Sequence, residues 1–302
     1  MPPPWSTRLK VTLRPPARTN VRSYLAARAA GDLAGEDRFF WQLQLASGVF
    51  KATNRDRFVD TFEALQAAVP RDRSRLRVLD VACSSGISTV ELHRALARPG
   101  LDLETIGTDI TIRVHHATLY GDAVVFDDAG NLLAAEIDGM LINRHPNRAV
   151  RLHHPFRVWR AQRLIARHQP RVGVPFHPPA GATVTEVPLV SSEVARTPGV
   201  RVEEEDLFAP HIAGEFDLIR AANILNRGYF SDAQLTTCVR ALVARTTLGG
   251  LLFVTRTERG ANHGTLWRRA AGGLVPVATV GAGCEIATLV TAAATPLAGE
   301  PR

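Results

Sequence analysis

The hydrophobic positions change period once along the chain. Between residues 22 and 70, Phe39, Leu43, Leu45, Val49, Phe58, Phe62 and Leu65 recur at helical spacing, predicting an N-terminal helical segment that Val69-Pro70 closes. From Arg77 onward, short apolar runs alternate with helical stretches. Residues 77–82 predict a strand, 87–97 a helix and 103–109 a second strand, while 200–204 and 216–224 predict the third and fourth strands. A helix is expected over 232–246, and Gly249-Gly250 turns the chain into a fifth strand at 251–255. The apolar runs 274–280 and 285–292, joined by Gly281-Ala282-Gly283, predict a closing antiparallel hairpin. Strands alternating with helices specify an α/β fold: a Rossmann-like, seven-stranded, mostly parallel sheet that ends in an antiparallel hairpin.

One connection is too long. A crossover between parallel strands needs a few tens of residues at most, yet about ninety separate Asp109 from Val200. Residues 123–126 and 132–137, flanking Asp127-Asp128-Ala129-Gly130-Asn131, predict a hairpin. Residues 155–168 predict a helix with Arg160, Arg163 and Arg167 on one face and Val158, Ala161 and Ile165 on another. The crossover helix proper is expected at 187–196. The expected plan is a flexible basic arm at 1–21, the helical segment at 22–70, and an α/β domain at 71–296 that carries an inserted Arg-rich lobe at about 111–182. A short flexible tail at 297–302 completes it.

Composition adds a charge map. A chain of 302 residues with 45% hydrophobic content can bury one large core, or one core and a smaller lobe. It has no apolar run of the ~18 residues a membrane span needs, and its N-terminus has no apolar signal-peptide core. The three isolated cysteines, Cys83, Cys238 and Cys284, exclude a disulfide framework and a CxxC metal knuckle. A reduced, cytoplasmic setting without membrane insertion is the expectation. The net charge of +7 is unevenly spread: residues 1–31 carry six basic groups and no acid, and residues 143–185 carry eight arginines and no acid. The remainder is net negative. Such blocks address anionic partners, either a small-molecule or acidic protein acceptor or, as a lesser alternative, nucleic acid. The plainer alternative is a solvated basic face that pairs with the acidic body. Trp159 is nearly alone among these arginines, and nucleic-acid surfaces usually interleave more aromatics.

The candidate chemistry lies at strand ends. In an open parallel sheet, ligands bind outside the carboxyl ends of the strands. Asp80 ends the first strand, where it can orient the following turn or reach an ammonium group. The turn Ala82-Cys83-Ser84-Ser85-Gly86 is made of small residues that let backbone approach a ligand closely. It lacks the GxGxxG glycines that admit a pyrophosphate, which disfavours a nucleotide-dependent oxidoreductase. Asp109, followed by Ile110, closes the second strand, where an acid accepts hydrogen bonds from two ribose hydroxyls. Asp206 and Leu207 follow the third strand, an acid for an exocyclic amine and an apolar wall for its ring. The fourth strand is followed by the polar residues Asn223 and Asn226 and by Tyr229. Each acid alone also fits a loop cap, and Asn223 a strand cap; three acids in order at three strand ends favour a ligand. The histidine doublets His115-His116 and His153-His154 place adjacent side chains on opposite faces when extended, so no metal site is expected.

The strand VLDVACSSG at 78–86 with GTDI at 107–110 resembles motif I and the following acidic strand end of class I S-adenosylmethionine (SAM) methyltransferases. With FDLIRAANIL at 216–225 and LGGLLFVTRTE at 248–258, the chain is similar in motifs to the chemotaxis-receptor glutamate O-methyltransferases, the CheR-like group. That group has an ACSSG-type turn, an arginine-asparagine pair ending the fourth strand, a helical N-terminal part and a small inserted β lobe. Its acidic, proline-containing stretch after the turn is replaced here by Ile87-Ser88-Thr89-Val90, and Asn226-Arg227-Gly228 are additional before Tyr229-Phe230. The resemblance implies a SAM-dependent methyltransferase. It implies that SAM is held by Asp80, Ala82 to Gly86, Asp109, Ile110, Asp206, Leu207 and Asn223, and that the acceptor is met by Asn223, Asn226 and Tyr229. Arg160, Arg163 and Arg167 are the candidates for recruiting an anionic acceptor, a carboxylate or hydroxyl compound. The alternatives are a non-catalytic interaction protein of the same fold and an RNA methyltransferase.

Overall fold

The computed structural model describes residues 18–119, 121–169, 171 and 173–294. The basic arm lies mostly outside these residues, and the tail wholly so. The chain divides into two compact units, one formed by the chain up to Ala52 with Arg113–Ser192, the other by Thr53–Ile112 with the chain from Glu193 onward.

The second unit is built on a seven-stranded sheet. Its strands are β1 (Arg75–Val81) and β2 (Asp102–Asp109), then β8 (Val200–Glu204), β9 (Phe216–Ala222), β10 (Thr246–Glu258), β11 (Ala261–Ala270) and β12 (Gly273–Val280). Their order is β12-β11-β10-β9-β1-β2-β8. The five from β8 to β10 are parallel, and β11 and β12 add antiparallel pairs. The order reverses at β1, the arrangement of a Rossmann-like sheet, and that switch point is where such sheets bind ligands. Helices cover both faces. Leu76, Val78, Leu218 and Phe253 pack with Leu65 of α3 (Val59–Ala68) and Leu92 and Leu96 of α4 (Ile87–Leu96). Leu79, Val81, Ile219 and Val254 pack instead with Leu235, Val239 and Leu242 of α8 (Asp232–Arg245) and Val290 of α9 (Ala287–Ala293). Burial on both faces explains why these strands are near-continuous apolar runs.

The first unit is an antiparallel sheet, β6-β5-β4-β3-β7, made of β3 (Arg113–Leu119), β4 (Asp122–Phe126), β5 (Leu132–Ile137), β6 (Met140–Asn143) and β7 (Thr183–Pro188). Tyr24 of α1 (Val21–Ala30) and Phe39 and Phe40 of α2 (Leu33–Phe40) pack on one face with Val114, Val125 and Leu133. The other face carries α6 (Pro155–His168), preceded by the short α5 (Arg148–His153), and buries Val158, Ala161 and Ile165 against Val124, Ala135 and Ile142. Period 3.6 and period 2 meet there as the sequence pattern requires.

Four expectations are corrected. The closing hairpin is not 274–280 with 285–292: β12 pairs with β11, and residues 287–293 are helical. Gly281 and Gly283 take φ of 55° and 84°, which lifts the chain off the sheet, and the following Ala-rich run favours helix. Gly249-Gly250 is no turn into a strand but an irregularity inside β10, which starts at Thr246. The crossover helix at 187–196 shrinks to α7 (Ser192–Ala195), because Thr183, Val184, Thr185 and Val187 alternate as a strand against β3. The helical segment at 22–70 is interrupted between α2 and α3, where Gly48 at φ 85° closes a turn between Leu45 and Val49. Its two parts belong to different units.

Candidate functional site

The sharpest turn of the second unit joins β1 to α4. Ala82, Ser84 and Gly86 take φ of 56°, 60° and 79°. For the two non-glycine residues this costs about 1–2 kcal/mol each, and strain of this kind concentrates at ligand-binding turns. Gly86 brings no side chain to cap α4, so the first amides of the helix face the turn, and such amides attract anionic or acceptor groups. Cys83 is buried. A Cβ on Gly107 would lie 2.9 Å from its Sγ and 3.0 Å from a Val202 methyl, so β2 keeps a glycine there to let the turn descend. The Ser85 Oγ is buried without a hydrogen-bond partner among the described residues.

Asp80 faces the α4 side of the sheet. Its neighbours in register are Gly107 on β2 and Arg220 on β9. Both Asp80 and Arg220 are fully buried, at 1% and 0% exposure. Arg220 donates Nε to Oδ1 at 2.8 Å and Nη2 to Oδ2 at 2.6 Å, and the Thr89 hydroxyl donates to Oδ2 at 2.6 Å. Arg220 also donates to the Ser88 carbonyl and lies over the Phe58 ring. Asp80 thereby joins the end of β1 to β9 and to the start of α4, with both oxygens accepting hydrogen bonds. The motif containing Arg220 is legible in the sequence, but its partner is not, since the pairing rests on a register across 140 residues.

At the end of β2, Asp109 accepts the Ser84 N–H on one oxygen and the Thr111 N–H on the other, at 2.8 and 3.1 Å. The acid thereby ties the turn to β2. Ile110 beside it is 63% exposed. After β8, Asp206 accepts the Phe208 N–H at 2.9 Å, Leu207 packs on the core, and the exposed Phe208 ring meets Phe230 edge-on. Ile110 and Phe208 are large apolar side chains left in the open beside two acids.

The segment after β9 is drawn into a network that sequence reasoning missed. Asn223 holds φ 61°, and its Oδ1 accepts the Thr257 N–H at 2.6 Å. Thr257 Oγ1 receives Arg57 Nε at 3.0 Å and donates to Asn262 Oδ1 at 2.7 Å, and Asn262 Nδ2 bonds Asp60. Burial pulls the Arg57 guanidinium below its ordinary pKa, with the Tyr229 phenol opposing. Asn226 is buried and spends its amide on its own turn: Oδ1 accepts the Gly228 N–H, and Nδ2 bonds the carbonyls of Asn223 and Ile224. Tyr229 projects, 57% exposed. Of the three residues expected to meet an acceptor, Asn226 is thus a turn-former and Tyr229 the one that protrudes. Glu91 on α4 accepts the Asp56 N–H at 2.8 Å, and burial lifts its carboxyl above the usual range, that bond offsetting part of the rise.

In the first unit, Arg160 is bound at home. It donates to Asp122 at 2.8 Å and to Asp138 at 2.9 Å, and Arg157 joins it on Asp138. Arg163 lies over the Trp159 ring at 5.4 Å, and Arg167 is exposed on the next turn. The three arginines thus have different surroundings: Arg160 is ion-paired, Arg163 lies on an indole and Arg167 is exposed.

No family model matches the chain, and no curated protein matches it. Among solved structures it is similar to a SAM-bound amino pentose methyltransferase from Micromonospora echinaspora, with 16% identity over 80% of this chain and 82% of that one, and a TM-score of 0.34. A sugar N-methyltransferase from Streptoalloteichus sp ATCC 53650 shares 13% identity over 78% of this chain and 77% of its own, at a TM-score of 0.33. An N-methyltransferase (NodS) from Bradyrhizobium japonicum WM9, in complex with S-adenosyl-L-homocysteine, shares 13% over 77% and 72%, at 0.31. Likeness this slight says nothing of what this chain binds.

Proposed function

We propose that the chain is a SAM-dependent methyltransferase whose cofactor lies across the carboxyl edge of β1, β2 and β8. The carrying observation is the strained β1–α4 turn fastened to Asp109 at the switch point of the sheet. The residues present suit the group. Asp109 is oriented by two backbone amides to accept ribose hydroxyls, and Asp206 with Leu207 and Phe208 offers an acid and apolar walls to the base. Ile110 would offer a further apolar contact to the base, and the turn's backbone amides with the Ser85 hydroxyl would hold the amino-acid end. When bound, SAM supplies a sulfonium-activated methyl group. What the chain then contributes is alignment and exclusion of water, since transfer to a nucleophilic acceptor needs chiefly orientation. Asn223, strained and fixed to Thr257, and the projecting Tyr229 border the place the acceptor would take, with the Arg57 guanidinium beside them. We take the acceptor to be anionic, a carboxylate or hydroxyl on a small molecule or a protein.

Titration calorimetry with SAM and S-adenosylhomocysteine tests this. Micromolar binding by the native chain, weakened about tenfold or more in Asp109→Asn through lost charged hydrogen bonds, is the expected result. A folded chain that binds neither compound would overturn it.

A further inference from the structure

The solvent face of α6 mixes large apolar side chains with its arginines. Its inner face is buried on the sheet, yet Phe156 and Trp159 stand outward at 66% and 52% exposure, and Leu152 of α5 is likewise exposed. The Phe156 and Trp159 rings stack at 5.7 Å with an interplanar angle of 26°. Around them the chain is cationic. Arg148, Arg151, Arg163 and Arg167 are exposed on the same two helices, and the whole stretch 143–185 contains no acid. The acids of neighbouring strands, Asp122 and Asp138, are taken by Arg157 and Arg160 and do not neutralise the outer arginines.

We propose that this face of α5 and α6 is a peripheral docking surface for anionic lipid bilayers. Three exposed apolar side chains flanked by arginines match an interfacial anchor: the apolar groups enter the headgroup–acyl boundary and the arginines meet lipid phosphates. Single-stranded nucleic acid is the competing anion. It would stack bases on the two rings, but the exposed aliphatic Leu152 offers a base no stacking platform, whereas a headgroup–acyl boundary takes up aliphatic and aromatic groups alike. Among the described residues no helix is long and apolar enough to cross a membrane, so the contact is interfacial. This inference is independent of the methyltransferase reading.

The test is co-sedimentation of the full chain with vesicles of phosphatidylcholine alone and with about one third phosphatidylserine. Binding to the anionic vesicles only, weakened about tenfold or more in Phe156→Ser/Trp159→Ser and in Arg163→Gln/Arg167→Gln, is expected. Circular dichroism matching the native chain certifies the variants. Quenching of tryptophan emission by bromine-labelled lipid, lost in Trp159→Phe, reads insertion without any destabilising change. No binding to anionic vesicles, binding unaltered by the Phe156→Ser/Trp159→Ser change, or capture of a single-stranded RNA oligonucleotide in preference to vesicles would each overturn the proposal.

Discussion

Each unit holds an arginine gripped by aspartate, and the two grips differ in kind. Arg220 and Asp80 are sealed between the sheet and α4, bidentate, with Thr89 donating to the acid and Ser88 accepting from the arginine. Arg160 holds Asp122 and Asp138 at similar distances on the surface of the other unit. The distances are nearly equal, so geometry alone does not rank them. Solvent does. A buried pair has given up hydration on both ions, and removal of one partner leaves an uncompensated charge in a low-dielectric interior. An exposed pair is screened and its ions rehydrate when separated. The first therefore fixes a conformation, the β1–α4 turn, and the second decorates a lobe.

The largest effect should come from Arg220→Ala or Asp80→Ala, each costing about 3–5 kcal/mol in urea denaturation. The double variant Asp80→Leu/Arg220→Met should recover much of that loss in stability, yet not SAM binding, because the turn loses its anchor. A single variant that denatures at the native midpoint would erase the contrast between the two clusters. Next, Gly107→Ala should cost about 1–3 kcal/mol through overpacking on Cys83 and Val202, and Cys83→Ala in the same chain should restore part of it. Denaturation of the single and paired variants checks both statements.

A smaller effect belongs to Glu91. Its folded pKa is raised, so the folded chain holds that proton more tightly than the unfolded chain. Stability from this group is then greatest below its unfolded pKa and falls as pH rises through the window up to the folded value. Glu91→Gln, which keeps an acceptor for the Asp56 N–H, should flatten that part of the stability–pH curve; an unchanged slope would refute it. Smallest of all, Arg160→Gln should leave the denaturation midpoint where it was, since both its acids remain in water.

Much of the α/β unit was legible from period alone. β8, the bounds of β9 at Phe216 and α4 at Ile87, and the helix at Pro155–His168 lie where the apolar spacing puts them, because those segments bury one face or both and nothing else competes. Two later segments were not. Residues 261–270 mix Asn262, His263 and Gly264 with Leu266 and Trp267, a pattern with no clean alternation, and only pairing with β10 makes them a strand. Residues 287–293 are apolar enough for either structure, and the two positive-φ glycines before them decided for helix.

The site divides in the same way. The sequence by itself determined the small-residue turn, the acids at the ends of three strands, and the lobe's helix with its arginines, since each is a local matter of residue size, charge and spacing. Only the tertiary structure decided that Asp80 answers to Arg220 rather than to solvent, that Asn226 closes its own turn, and that Arg57, Thr257 and Asn262 join Asn223. It also parted the N-terminal helices between two units. Those are matters of register and of which faces lose water. A side chain's burial and its partners are set by segments that are distant in the chain and adjacent only after folding.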